Sequence, residues 1–119
     1  MTENKKLVQA CIEGIQEKKG KKIRVVNLEE IDDTITQYLL ICEGNSPTQV
    51  AAISDSVKEF GRKKAGMKPT AVDGTRNNIW VAMDYTDVVV HVFVPDAREF
   101  YDVDNLWSDA VITDVPDLD

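Results

Sequence analysis

Residues 78–94 read NIWVAMDYTDVVVHVFV, a stretch whose side chains alternate as in two paired β-strands. Two runs, 78–83 and 87–94, are rich in Val, Ile, Trp and Phe. The quartet Asp84-Tyr85-Thr86-Asp87 joins them, which is the pattern of a β-hairpin. A connection with two central residues puts Trp80 opposite His91, Ala82 opposite Val89 and Asn78 opposite Phe93. Side chains alternate along a strand, so one sheet face carries Asn78, Trp80, Ala82, Val89, His91 and Phe93, and the other carries Ile79, Val81, Met83, Val88, Val90 and Val92. The second set is uniformly apolar and belongs against helices. The first is amphipathic: Trp and His each have an apolar body and a polar tip, suited to a surface that is wet when free and covered when bound. In the alternative reading, Trp80 and Phe93 pack under a helix and His91 finds an internal partner. Thr86 suits a type I′ turn poorly, so a one-residue shift of pairing stays open; the alternation within each strand survives it.

Upstream, Gly44-Asn45-Ser46-Pro47 opens a helix. Ser46 can cap it, Pro47 suits its first position, and Gln49 completes a capping box. Val50, Ile53, Val57 and Phe60 form its inward stripe. Lys58, Arg62, Lys63 and Lys64 crowd its last turns, where cations favour the helix dipole, and Gly66 ends it. Residues 34–42, with Ile35, Tyr38, Leu39, Leu40 and Ile41, form an apolar run that predicts a central strand. Before it lie a polar turn through Glu29, Glu30, Asp32 and Asp33, a strand over 21–27 and a helix over 3–18. That helix has the stripe Leu7, Val8, Cys11, Ile12, Ile15 and is closed by Gly20. Downstream, residues 69–73 predict a short strand and 74–77 a loop, with helical turns from Pro95 through Phe100 and over 105–109. The expected fold class is α/β (α+β), a single mixed sheet flanked by helices. One domain spans residues 1–112, and residues 113–119, with three aspartates and Pro116, form an acidic flexible tail.

A chain of 119 residues fits one domain and buries roughly two thirds of its unfolded surface, enough to fold without metal or disulfides. No apolar run reaches the length of a membrane span and the first residues are polar, so a soluble, cytoplasmic protein is expected. Cys11 and Cys42 lie far apart without neighbouring histidines, and His91 is the only histidine, which argues against a zinc site. The charge is uneven. Residues 1–68 hold 12 Lys and Arg against 10 Asp and Glu, whereas residues 69–119 hold 2 against 11, together the net −7 of the chain. The acidic half repels phosphate backbones, so no direct sequence-specific nucleic-acid binding is expected and a basic protein is the natural partner; solubility alone is the plainer reading.

Enzymatic chemistry finds few candidates. The Gly44-Asn45-Ser46 turn before a helix is superficially like the glycine-serine turn of nucleotidyltransferases, but no Asp-x-Asp or Asp-x-Glu on a following strand could hold their magnesium. No Walker loop, Rossmann fingerprint or Gly-x-Ser-x-Gly occurs. Asp84 and Asp87 bracket the turn, too far along the strand to form an acid/base group with His91. No cofactor, metal or catalytic residue is expected, and the chain reads as a non-enzyme.

The series Asp84-Tyr85-Thr86-Asp87-Val88-Val89-Val90-His91-Val92-Phe93, followed by Arg98-Glu99-Phe100-Tyr101 and Leu106-Trp107, closely resembles the signature of the ribosomal silencing factor family, also called Iojap-like. Leu40 to Ser46, Val50 to Ile53, Asp73-Gly74 and Trp80 extend the likeness over roughly residues 5 to 110. The resemblance implies a mixed sheet flanked by helices, distantly nucleotidyltransferase-like without the catalytic carboxylates. It further implies a protein that binds the large ribosomal subunit through ribosomal protein fourteen and sterically blocks subunit association, repressing translation. Organellar relatives act in large-subunit assembly and some members are homodimers, so an assembly factor is the alternative function and a nucleotide-dependent transferase a more distant one.

Carried over residue by residue, Trp80 matches a family tryptophan at the ribosomal-protein interface, Asp84, Tyr85, His91 and Phe93 match the hairpin motif, and Arg98, Tyr101 and Trp107 match the downstream signature, where packing competes with contact. The expected partner-binding set is Trp80, Asp84, Tyr85, His91, Phe93 and Arg98, with Trp80 and Phe93 as apolar anchors. Thr86 stands where glycine is usual, and Asp104 and Asp73 where glutamate is usual.

Overall fold

A computed structural model of the protein describes residues 3–32, 34 and 36–118. The chain runs α1 (Glu3–Glu17), β1 (Lys21–Asn27), β2 (Tyr38–Glu43), α2 (Pro47–Ala65), β3 (Ala71–Asp73), β4 (Trp80–Asp84), β5 (Val88–Phe93), α3 (Pro95–Tyr101), a 3-10 turn (Val103–Asn105) and β6 (Val111–Val115). Six strands form one sheet in the order β3-β4-β5-β2-β1-β6. β2 and β5 are parallel and every other neighbouring pair is antiparallel, so this is the mixed α+β sheet that the sequence predicts.

All six residues of β2 are buried, as an apolar run between two neighbouring strands requires. Its expected beginning at residue 34 is not reached: the strand starts at Tyr38, and Ile35, like Asp33 of the preceding turn, lies outside the described residues. α1 and α2 pack side by side on one face. Leu7, Cys11 and Ile15 from α1 and Val50, Ile53 and Val57 from α2 meet Leu40, Cys42, Val81, Met83, Val88, Val90 and Val92 of the sheet, all without solvent exposure. The helices cross at Gly14, where a Cβ would stand 2.9 Å from the Ser56 carbonyl oxygen and where Ser56 Oγ donates to the Gly14 carbonyl at 2.7 Å. The opposite face holds a smaller core of Leu39, Ile41 and Phe93 with Val26 and Leu28, roofed by Ala97 and Val103.

The predicted cap of α2 is present: Ser46 Oγ accepts from the Gln49 N–H at 3.1 Å. The Gln49 side chain reaches one residue further back than a capping box requires, accepting from Asn45 N–H at 2.6 Å. Its Nε2 group donates to the carbonyls of Lys18 and Lys19 at the end of α1, at 3.2 and 3.3 Å. Gly66 adopts φ 67° at the far end, as expected. At the end of α1 the left-handed residue is Lys19 (φ 60°); Gly20 is needed for space, since a Cβ there would lie 2.4 Å from Ile15 Cγ2.

Three expectations are corrected. The hairpin pairs Trp80 with Phe93, Ala82 with His91 and Asp84 with Val89, two places from the expected register. Tyr85 causes this: its ring enters the helix-side core, 3% exposed, so it stays in the ladder, where its N–H donates to the Val88 carbonyl at 2.8 Å. The turn therefore falls on Thr86 and Asp87. Thr86 takes φ 76°, its N–H donates to Asp84 Oδ1 at 2.7 Å, and Asp87 N–H closes on the Tyr85 carbonyl. A shift of two preserves the faces, so Val81, Met83, Val88, Val90 and Val92 are buried against the helices as expected, while Ile79 precedes the strand and is exposed. Second, the segment expected to fray from Thr113 is paired: β6 lies antiparallel to β1, Arg24 grips Asp114 at 2.7 and 3.2 Å, and Asp117 Oδ1 accepts from Lys22 N–H at 2.7 Å. Third, the helical turn expected over 105–109 occurs at Val103–Asn105.

Candidate docking face

β3 returns into β4 through a loop that Gly74 makes feasible: at φ 92° it approaches so closely that a Cβ would lie 1.9 Å from the Trp80 carbonyl oxygen. The turn is fastened by Asn78 N–H on the Gly74 carbonyl (3.0 Å) and Ile79 N–H on Asn77 Oδ1 (3.3 Å), and it delivers Trp80 as the first residue of β4 on the face away from α1 and α2. There the indole Nε1–H donates to His91 Nδ1 at 2.9 Å, diagonally across the ladder. The ring stacks on Phe93 at 4.9 Å between centroids and lies 4.7 Å from the ring of Tyr101 on α3. Phe100 meets Tyr101 edge-on at 5.0 Å. Four aromatic rings thus form a column from core to solvent: Phe93 fully buried, Trp80 partly so, Tyr101 half exposed and Phe100 81% exposed.

Burial pushes the His91 imidazole down to about 4, against a weak opposing pull from the Asp104 carboxylate. The neutral ring carries its proton on Nε2, because Nδ1 is accepting from the indole. Exposed carboxylates stand on α3 and its C-cap, at Asp96, Glu99 and Asp102, and towards the turn end of the hairpin at Asp73, Asp84 and Asp87; Arg76 in the β3–β4 loop is an exposed cation.

The expected contact residues divide. Trp80, His91 and Asp84 reach this surface, Asp84 through the turn that it fastens. Phe93 is a correction: with no solvent exposure it supports Trp80 from beneath and offers a partner nothing. Tyr85 is another, since it points to the opposite core and its hydroxyl has no hydrogen-bond partner among the described residues. Arg98 faces inward as well. Its guanidinium forks onto Asp104 at 3.0 and 2.8 Å, meets Glu43 at 3.2 Å and donates to the Lys22 carbonyl at 2.7 Å. Hydrogen bonding to Arg98 holds the Asp104 carboxyl below its ordinary range. The expected contact set lacks Phe100, and for Tyr101 the motif leaves packing and contact in competition. A signal existed, because two adjacent aromatics on a seven-residue helix cannot both face the core.

Elsewhere the chemistry is occupied by structure. At the Gly44-Asn45-Ser46 turn, Gln49 and the Ser46 hydroxyl already satisfy Asn45 N–H and Gln49 N–H, donors an anion would use. Cys11 and Cys42 are buried and their thiols pushed up to about 12 by that burial, far from thiolate reactivity. Among the described residues no group of three or more His, Cys, Asp or Glu is placed to hold a metal, and no helix is long and apolar enough to cross a membrane.

The family described as "Ribosomal silencing factor during starvation" matches residues 1–119. Ribosomal silencing factor RsfS of Halalkalibacterium halodurans is 36% identical over 107 residues, covering 90% of each chain. RsfS of Bacillus subtilis is 33% identical over 111 residues, covering 93% of this chain and 92% of that protein. The crystal structure of a Chromobacterium violaceum protein superposes with a TM-score of 0.81 at 32% identity, covering 90% of this chain and 87% of the other. With the family's description spanning the whole sequence, and relatives alike in both sequence and fold over nine tenths of it, the chain belongs to the ribosomal silencing factor family.

Proposed function

We propose that this protein acts in the cytoplasm by binding, without catalysis: it docks on ribosomal protein fourteen of the large subunit and so obstructs the joining of the small subunit, lowering translation. The observation that carries this reading is the solvent end of the aromatic column, Phe100, Tyr101 and Trp80, set among exposed carboxylates. Exposed aromatic rings are poor surface residues unless covered, and a rim of negative charge selects a cationic partner. Central interface aromatics commonly carry about 2 kcal/mol or more each, roughly thirtyfold in affinity.

The test is a mixing assay of purified small and large subunits, read as a sucrose-gradient profile. The wild-type chain should leave the subunits apart, and Phe100→Ala with Tyr101→Ala should let them join. Because both side chains are at least half exposed, the pair leaves the fold intact, which thermal unfolding checks. A pull-down on isolated ribosomal protein fourteen identifies the partner. Subunits that join normally in the presence of the wild-type chain would overturn the proposal.

A further inference from the structure

α3 carries the two most solvent-directed rings of the docking face, yet it has little of its own to hold it in place. It is seven residues long, buries only Ala97 and begins at Val94 and Pro95 with no side-chain cap. A helix of two turns does not persist by propensity. What fastens it is Arg98, whose side chain is 12% exposed. One nitrogen bridges the Lys22 carbonyl of β1 and the Glu43 carboxylate of β2; the other two fork onto Asp104 in the turn that follows α3. Asp104 also faces Arg24 at 3.6 Å, and Arg24 in turn clasps Asp114 of β6. Tyr101 sits one turn beyond Arg98, where its ring meets Trp80.

We propose that Arg98 is the positioning residue of the docking face: without touching the partner, it fixes α3 on the sheet so that Tyr101 stands against Trp80 with Phe100 outside. This rests on the docking reading above. The planar fork matters, because a lysine ammonium, with three donors on one nitrogen, cannot make the four bonds that Arg98 spreads over three nitrogens to both Asp104 oxygens, Glu43 and the Lys22 carbonyl.

The experiment uses the full chain with Trp107→Phe, which leaves Trp80 as the remaining indole. Arg98→Met, Tyr101→Ala and their combination are compared by the near-UV circular dichroism of Trp80 and by affinity for purified large subunits. Each single variant should erase the Trp80–Tyr101 signal and weaken binding by roughly thirtyfold. The combination should be no worse than the weaker single by more than about twofold, because Arg98 acts through Tyr101. Asp104→Asn, which keeps the shape and removes a charge, serves if Arg98→Met does not fold, and should reproduce a part of both effects. An unchanged Trp80 signal in a folded Arg98 or Asp104 variant overturns the proposal, as does an equal loss of affinity with and without Tyr101. If Tyr101→Ala binds normally while the Trp80 signal still depends on Arg98, the docking reading falls and the positioning stands.

Discussion

Lowering the pH should weaken this protein through one side chain, His91. In the folded chain its imidazole is held down to about 4, whereas in the unfolded chain it titrates near its ordinary 6.5. Between these values the unfolded chain takes up a proton that the native one refuses, so the stability supplied by the neutral ring is complete above pH 6.5 and lost as pH falls towards 4. The difference corresponds to about 3 kcal/mol, a large part of the stability of a domain this size. The physical cause is twofold: burial disfavours the imidazolium, and a proton on Nδ1 would displace the 2.9 Å bond from the Trp80 indole. Urea unfolding of the wild type and of His91→Asn, between pH 7 and pH 4, isolates the contribution. Asparagine can place an oxygen near the Nδ1 position and does not titrate, so the variant should lose about 3 kcal/mol less than the wild type over that range. The carboxylates shared by both proteins cancel in the difference. A native His91 titrating near 6.5 by nuclear magnetic resonance, or parallel pH profiles for the two proteins, would show that the buried neutral imidazole contributes nothing to the acid sensitivity.

Thr86→Gly should raise stability by about 1 kcal/mol, seen as a higher Tm, because a β-branched residue at φ 76° is strained by more than glycine's added unfolded-state freedom costs. Gly74→Ala should destabilise by more than about 1 kcal/mol and shift the Trp80 fluorescence, since its Cβ would collide with the Trp80 carbonyl from a positive φ. Association with large subunits, followed by stopped-flow fluorescence, should slow as salt is added if the carboxylates around α3 and the hairpin steer the encounter; a salt-independent rate would assign them to solubility alone.

What the sequence disclosed followed from local rules. The apolar run through Leu40 and Ile41 could only be a central strand, and the start of α2 was written in Ser46, Pro47 and Gln49. The two faces of the hairpin were correct although its register was not, because an even slip conserves alternation. The register depended on Tyr85 finding room beside α1 and α2, a tertiary fact with no local trace. β6 escaped notice for a similar reason: Val111 to Asp114 are all exposed, so no buried periodicity marks an edge strand held by Arg24 and its neighbours. At the site, Trp80 and His91 were legible from alternation, but Phe93 belonged to the same face and still sank from view, since α3 and the turn after it roof that end of the sheet. Arg98, read from its motif as a contact, turns inward and makes four hydrogen bonds to the protein itself.

The double duty of Gln49 restricts its own replacement. A glutamate would complete the start of α2 equally well, yet it has no hydrogen to give to the carbonyls of Lys18 and Lys19 and would turn a negative charge toward the negative end of α1. Only a neutral amide can take a proton bond from one helix's threshold while lending two to the exit of the other, so at this position glutamine and glutamate, near-equivalents in most caps, have opposite signs.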